Sequence, residues 1–254
     1  MRMYVFKAVV YPRQKKEPSC ESGVTAQMKP IRLPKHKSVH FHVIRAGTAL
    51  YQGNVPQSQI AQQMTVLNTD YASTGFQFVL NSTDYTTNSQ WFNSNPGLSS
   101  AQTAMKKALR RGDKASLNIY VTNSFGGSLG YSTMPIDAIR LQDDGVTIAY
   151  SSLPGGSDPY YNLGKTTTHE VGHWMGLYHL FQNGCTGNGD YVSDTPAESS
   201  PQLGCPIGRD SCPYLSGKDM VNNFMALSDD SCVNTFTPGQ IARMVAQVAL
   251  YRGL

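Results

Sequence analysis

The sequence predicts an α/β fold whose second half is irregular and stapled, on three grounds. Short apolar strands alternate with amphipathic helices from about residue 37 onward. A long stretch without periodicity, roughly 180–222, then draws in several cysteines, and a loop of that length in a compact domain needs staples or a function. An amphipathic helix closes the chain. At 254 residues the polypeptide can bury one substantial core or two small ones.

Residues 1–36 are rich in Lys, Pro and Ser without sustained periodicity, and read as a leader or propeptide-like segment. Order is expected from SVHFHVIR, where Val39, Phe41 and Val43 alternate with His40 and His42 as in a strand with one buried face. A helix follows Pro56, with Ile60, Met64, Leu67 and Tyr71 on one stripe. FQFVL, 76–80, is the second strand. SSAQTAMKKALRRG is a helix with Met105 and Leu109 inward and Gly112 as its stop. SLNIYVTN, 116–123, is the third strand, and GYSTMP, 130–135, and GVTIAYSSL, 145–153, supply further strands. A helix is expected around TTTHEVGHWMG. The last helix starts with a capping box on Thr237, Pro238 and Gln240 and buries Ile241, Val245 and Val248.

Composition excludes several classes of function. The net charge of +4 comes partly from RQKKE near the start and KKALRR at 106–111, neither interleaved with aromatics as a nucleic-acid platform would be. No segment has the apolar length of a membrane span. The opening MRMYVFKAVVYPR has a short apolar run broken by Lys7 and no small-residue cleavage site, so no secretory signal is recognisable in it. Cys20 stands apart from Cys185, Cys205, Cys212 and Cys232. Those four suggest two disulfides and an oxidising compartment; a second zinc site is the alternative, but no C-x-x-C pair supports it. The one glycosylation sequon, Asn81-Ser82-Thr83, fits secretion and is also a common chance match.

Residues 169–179 read HEVGHWMGLYH. Four residues apart on a helix, His169 and His173 present both imidazoles on one face. Gly176 can take a positive φ, end the helix and bring His179 back as a third ligand. Glu170 cannot easily join them; it is placed to take a proton from a metal-bound water. Three histidines leave a zinc coordination position open, the arrangement of catalysis; a structural zinc would not need Glu170 and would prefer cysteines.

This motif fits the long zinc-binding consensus of the metzincin endopeptidases. With HFHVI, LNIYV, LGYSTMP, GLYHLF, SDTPAE and NFMALSDDSCVNTFTPGQ, the chain resembles the pappalysin family from about residue 38 to the end, most of all its secreted fungal-type and bacterial members. The resemblance implies a zincin fold: a twisted, mostly parallel sheet with an antiparallel edge strand, backing helices, and a disulfide-stapled C-terminal subdomain ending in a helix. The catalytic domain would span 37–254, its two subdomains meeting near 178/179. Leu129, Gly130 and Tyr131 would form the edge strand that binds extended substrate. Met225 would be the Met-turn methionine, a core methionine being the alternative. The implied disulfides are Cys185–Cys212 and Cys205–Cys232. Asp190, Asp194 and Thr195, with the Val192 carbonyl, would form a calcium site, against the alternative of a solvated acidic turn. Cys20 would be a cysteine switch on the zinc, or else a thiol that pairs outside the chain or not at all.

The expected function is therefore a secreted, zinc-dependent metalloendopeptidase acting on protein or peptide, with no nucleic-acid or membrane partner. One departure qualifies it. Similar chains carry tyrosine two residues after the Met-turn methionine and often aspartate before that; here stand Leu227 and Ala226. Losing an oxyanion donor costs about 10²–10³ in turnover. The alternative is a weakened or inactive relative that binds a peptide or partner protein in the same groove. Asp229 and Asp230 would favour a basic residue after the cleaved bond, unless they are solvated or bonded to loop backbone.

Overall fold

The computed structural model describes residues 37–95, 99–123, 127–139 and 141–253. The leader and Cys20 lie outside them. Five strands form one sheet: β1 (Lys37–Arg45), β2 (Phe78–Thr87), β3 (Leu117–Thr122), β4 (Gly130–Ser132) and β5 (Val146–Ala149), in the order β2-β1-β3-β5-β4. The β1/β2, β1/β3 and β3/β5 pairs are parallel, and β4 runs antiparallel to β5 at one edge. The helices are α1 (Gln57–Asp70), α2 (Ser89–Phe92), α3 (Ser100–Leu109), α4 (Lys165–Trp174) and α5 (Pro238–Gln247).

The main core lies on one face of the sheet. Val39, Phe41, Val43, Ile119, Val121, Val146 and Ile148 meet Ile60, Met64 and Leu67 of α1 and Val171 and Trp174 of α4. A smaller core on the opposite face gathers Ile44, Phe92, Met105 and Tyr120. Because helices cover both faces, β1 is buried on both, not on the one face its alternation suggests; His42 is fully buried and His40 nearly so.

These histidines also explain why β2 outruns the expected 76–80. The ladder steps from Val39↔Leu80 to His40↔Ser82, leaving Asn81 as an extra residue. After this bulge the strand is polar, and polar pairs anchor it: His40 Nδ1 is 2.7 Å from Ser82 Oγ and His42 Nδ1 is 2.9 Å from Asp84 Oδ2. Other boundaries shift too. Helix α3 gives way to extended backbone at Arg110, before Gly112. Strands β4 and β5 are shorter than 130–135 and 145–153, β5 passing into a 3₁₀ turn at Tyr150–Ser152.

No helix or strand spans the segment after α4 up to α5. Interleaved disulfides staple it: Cys185 to Cys212, and Cys205 to Cys232, with Cα–Cα distances of 5.6 and 5.8 Å. The capping box of α5 is formed, Thr237 and Gln240 each satisfying the other's backbone N–H. A π turn, Val248–Arg252, follows it.

That turn drives Arg252 into the interior. Its guanidinium donates to both oxygens of Asp144 at 3.1 Å, its Nε donates to the Trp174 carbonyl at 2.9 Å, and it lies 3.6 Å over the Trp174 ring. Both charges are fully buried; Asp144 also faces Arg110 Nη2 at 3.5 Å and Trp174 Nε1 at 3.4 Å, but removing Arg252 takes away its two shortest contacts. We expect Arg252→Met to lower the unfolding free energy by about 3–5 kcal/mol in urea titrations, and Asp144→Asn with Arg252→Met to cost less than the sum of the two single changes.

Candidate metal centre

Helix α4 carries the first two histidines, and polar contacts fix where it starts. Its N-cap is Gly164, at φ 84°. Asp230 Oδ2 accepts the Leu163 N–H at 2.8 Å and the Lys165 N–H at 3.3 Å, setting a carboxylate against the positive end of the helix dipole. Asp70, at the end of α1, accepts from Lys165 Nζ and from Thr168 Oγ1, each at 2.6 Å. The α4 axis is thus pinned to α1 and to the loop after Met225.

The far end of α4 closes as a Schellman motif: Leu177 N–H reaches the Gly172 carbonyl and Gly176 N–H the His173 carbonyl, both at 2.9 Å. Gly176 sits at φ 103°, and a Cβ there would meet Gln247 Cγ of α5 at 2.6 Å. Arg243 Nε donates to the Gly176 carbonyl at 2.8 Å, so α5 holds the turn from outside. The chain then returns His179 to the helix face.

The three rings converge. Nε2 atoms of His169, His173 and His179 lie 3.1 Å from one another. His169 Nδ1 lies 2.7 Å from the Phe224 carbonyl and His173 Nδ1 2.7 Å from the Leu177 carbonyl. A carbonyl can only accept, so both Nδ1 atoms carry hydrogen and both Nε2 atoms present lone pairs. Burial pushes His169 down to about 3 and His173 to about 4, and holds His179 well below the usual imidazole range. The two facing lone pairs of His169 and His173 repel one another unless a cation or a proton lies between them, and three imidazoles are a donor set that suits zinc. Among the described residues, this is the one group of three His, Cys, Asp or Glu side chains with converging ligand atoms.

Glu170 is buried beside the histidines, and burial pushes its carboxyl up to about 8; the charge of a cation on the histidines would act in the opposite sense. The edge strand crosses over it. A Cβ on Gly130 would sit 2.5 Å from Glu170 Cγ and 2.7 Å from Cδ, so only glycine lets strand and carboxylate approach this closely. Leu129 and Gly130 are buried and Tyr131 is half-buried. Lys106, buried in α3, lies 5.4 Å from the Tyr131 ring centre and donates to the Asp143 carbonyl at 2.8 Å, bracing that strand from behind.

Met225 is fully buried against the helix that carries His169 and His173, where a Cβ on Gly172 would meet its sulfur at 2.5 Å. Its N–H is accepted by Asn223 Oδ1, and Asn223 is doubly bonded to Gln240, so the methionine turn and the α5 cap are one network. A small cleft of about 20 Å³ opens beside His169, with Tyr161, Thr166, Ala226, Leu227 and Ser228 in its wall. Leu227 is buried and its carbonyl accepts from Tyr161 Oη at 3.0 Å.

The acidic residues have protein partners. Asp229 accepts the Gly204 N–H and Asp230 caps α4, the backbone-bonded alternative for this pair. Asp190 Oδ1 accepts the Val192 N–H and the Thr195 hydroxyl; Asp194 accepts the Thr237 hydroxyl and the Gly239 N–H, anchoring the start of α5. Both carboxylates therefore act in the loop's own hydrogen bonding.

The roles of Gly130, Asn223 and Lys106 were not anticipated from sequence. Only Gly130 left a signal there, a glycine where a strand was expected.

A helix-borne histidine pair, a glycine turn, a third histidine, a buried glutamate and a methionine against the histidine-bearing helix, on a sheet with an antiparallel edge, are the features of a metzincin. Comparison with known proteins agrees. The family model described as Pregnancy-associated plasma protein-A matches residues 116–249. An extracellular metalloprotease of Sordaria macrospora is 49% identical over 219 residues, covering 85% of this chain and 75% of its own. One from Pyricularia oryzae is 50% identical over 218 residues, covering 84% and 75%. Mature mirolysin of Tannerella forsythia, solved with a cleaved peptide, superposes with a TM-score of 0.70 at 28% identity, covering 82% of this chain and 89% of that one. The chain belongs to the pappalysin family of metzincin metalloproteases.

The contact between Gly130 and Glu170 yields a test. Gly130→Ala is expected to displace the carboxylate and lower peptide cleavage about 10²-fold, with bound zinc and melting temperature little changed. Rates and metal content measured on the same preparation check it.

Proposed function

We propose that this protein is a secreted zinc endopeptidase that hydrolyses peptide bonds with Glu170 as general base. The convergence of the three Nε2 atoms beside the buried Glu170 carboxylate carries the reading. Zinc, when bound by His169, His173 and His179, supplies Lewis acidity, polarising a carbonyl and lowering the pKa of water toward neutrality. The backbone of β4 aligns the substrate in extended form through main-chain hydrogen bonds. Glu170 takes a proton from the attacking water and passes it to the leaving amine nitrogen. Phe224 and Leu177, through their carbonyls, keep His169 and His173 aimed. Secretion is supported by the two disulfides and by relatives described as extracellular.

Leu227 motivates a second reading, a peptide-binding relative of low activity. The Tyr161 hydroxyl, which lines the same cleft, is committed to the Leu227 carbonyl. Oxyanion stabilisation then falls to the metal and to backbone donors.

One preparation separates the readings. Zinc-loaded protein is expected to cut a diverse peptide library in a chelator-sensitive way. Glu170→Ala is expected to retain one zinc per chain and lose about 10²–10⁴ in rate. Undiminished cleavage by that variant would overturn the role of Glu170, and binding without cleavage by the unaltered protein would establish the second reading.

A further inference from the structure

Among the described residues, β2 is the outermost strand of the sheet, at the edge opposite β4. It is ten residues long, with Val79 48% and Tyr85 38% exposed. A long edge strand carrying apolar side chains is a template for pairing with another chain, and proteins blunt such edges by bulges, charge or cover. Here the bulge falls at Asn81, the residue passed over between Val39↔Leu80 and His40↔Ser82. Asn81 is exposed, and it opens the only Asn-x-Ser/Thr sequence of the chain, Asn81-Ser82-Thr83.

We propose that Asn81 is N-glycosylated and that the glycan covers this sheet edge, which no strand among the described residues pairs beyond β1. The modification rests on the secreted reading above, because the enzyme that makes it works in the secretory pathway. The donor is a polyprenyl-diphosphate-linked oligosaccharide. The Asn81 side-chain nitrogen forms a bond to the anomeric carbon of its first sugar, the bond from that carbon to the diphosphate oxygen breaks, and the amide gives up one proton as the polyprenyl diphosphate leaves. The folded protein accommodates the product because the modified residue is exposed and has no partner of its own across the ladder. Catalysis is undisturbed because four strand spacings, roughly 19 Å, separate the two edges.

The test expresses the full chain behind a supplied secretion signal in a eukaryotic host, so that entry to the pathway is not in question. Peptide-N-glycosidase is expected to reduce the mass of the secreted protein and to convert Asn81 to Asp in peptide mapping. Asn81→Gln and Thr83→Ala should abolish the shift, and Thr83→Ser should keep it. The Asn81→Gln protein should cleave peptides at the unaltered rate, yet scatter more light than glycosylated protein at equal concentration. Secreted, disulfide-bonded protein bearing an unmodified Asn81 would overturn the proposal without touching the peptidase reading. Equal light scattering would overturn the role in covering the edge. A glycosylated protein that cuts nothing would overturn the peptidase reading alone.

Discussion

Three uncharged imidazole rings do not gather of their own accord. Their inward nitrogens stand 3.1 Å apart, those of His169 and His173 with lone pairs opposed, in a buried place where none readily takes a proton. The fold must hold the rings there, and much of the surrounding structure serves that end. The Phe224 and Leu177 carbonyls fix two of the rings by their far nitrogens. His179 stacks on Phe181, with ring centres 4.7 Å apart. Met225 packs against the bare backbone of Gly172, on the helix that carries His169 and His173.

Holding α4 is the second half of that task, and it falls to residues far apart in sequence. Asp70 from α1 and Asp230 from the loop after Met225 grip its first turn. Arg243 and Arg252, from the end of the chain, grip the Gly176 and Trp174 carbonyls at its last turn. The C-terminal segment thus reaches the centre without contributing a ligand. The disulfides keep the intervening irregular loop from loosening this arrangement, since each closes a separation of 27 residues and limits the unfolded chain.

The convergence of the three histidines was legible in the sequence because helical spacing, a glycine stop and a third histidine are local features. So were the buried stripe of α1 and the capping box of α5. What escaped depends on neighbours distant in the chain. The second half of β2 looks like loop because its alternation is polar, and only Ser82 opposite His40 and Asp84 opposite His42 reveal it as strand. The four-residue helix α2 has no room for a period. In the sequence Asp230 reads as a specificity residue, a solvated side chain or a partner of loop backbone, until the Leu163 and Lys165 N–H groups are seen beside it. Leu227 remains a departure from the pattern of similar chains, and the structure gives its backbone, not its side chain, a polar partner.

The central claim is that this cage presents three imidazole nitrogens to one metal ion and leaves a position free for water. X-ray absorption at the zinc edge of the loaded protein tests it most directly. The account predicts one zinc per chain, three imidazole nitrogens at about 2.0–2.1 Å, and one oxygen ligand that a small inhibitor displaces. A sulfur ligand, or a fourth protein ligand that no inhibitor displaces, would contradict it.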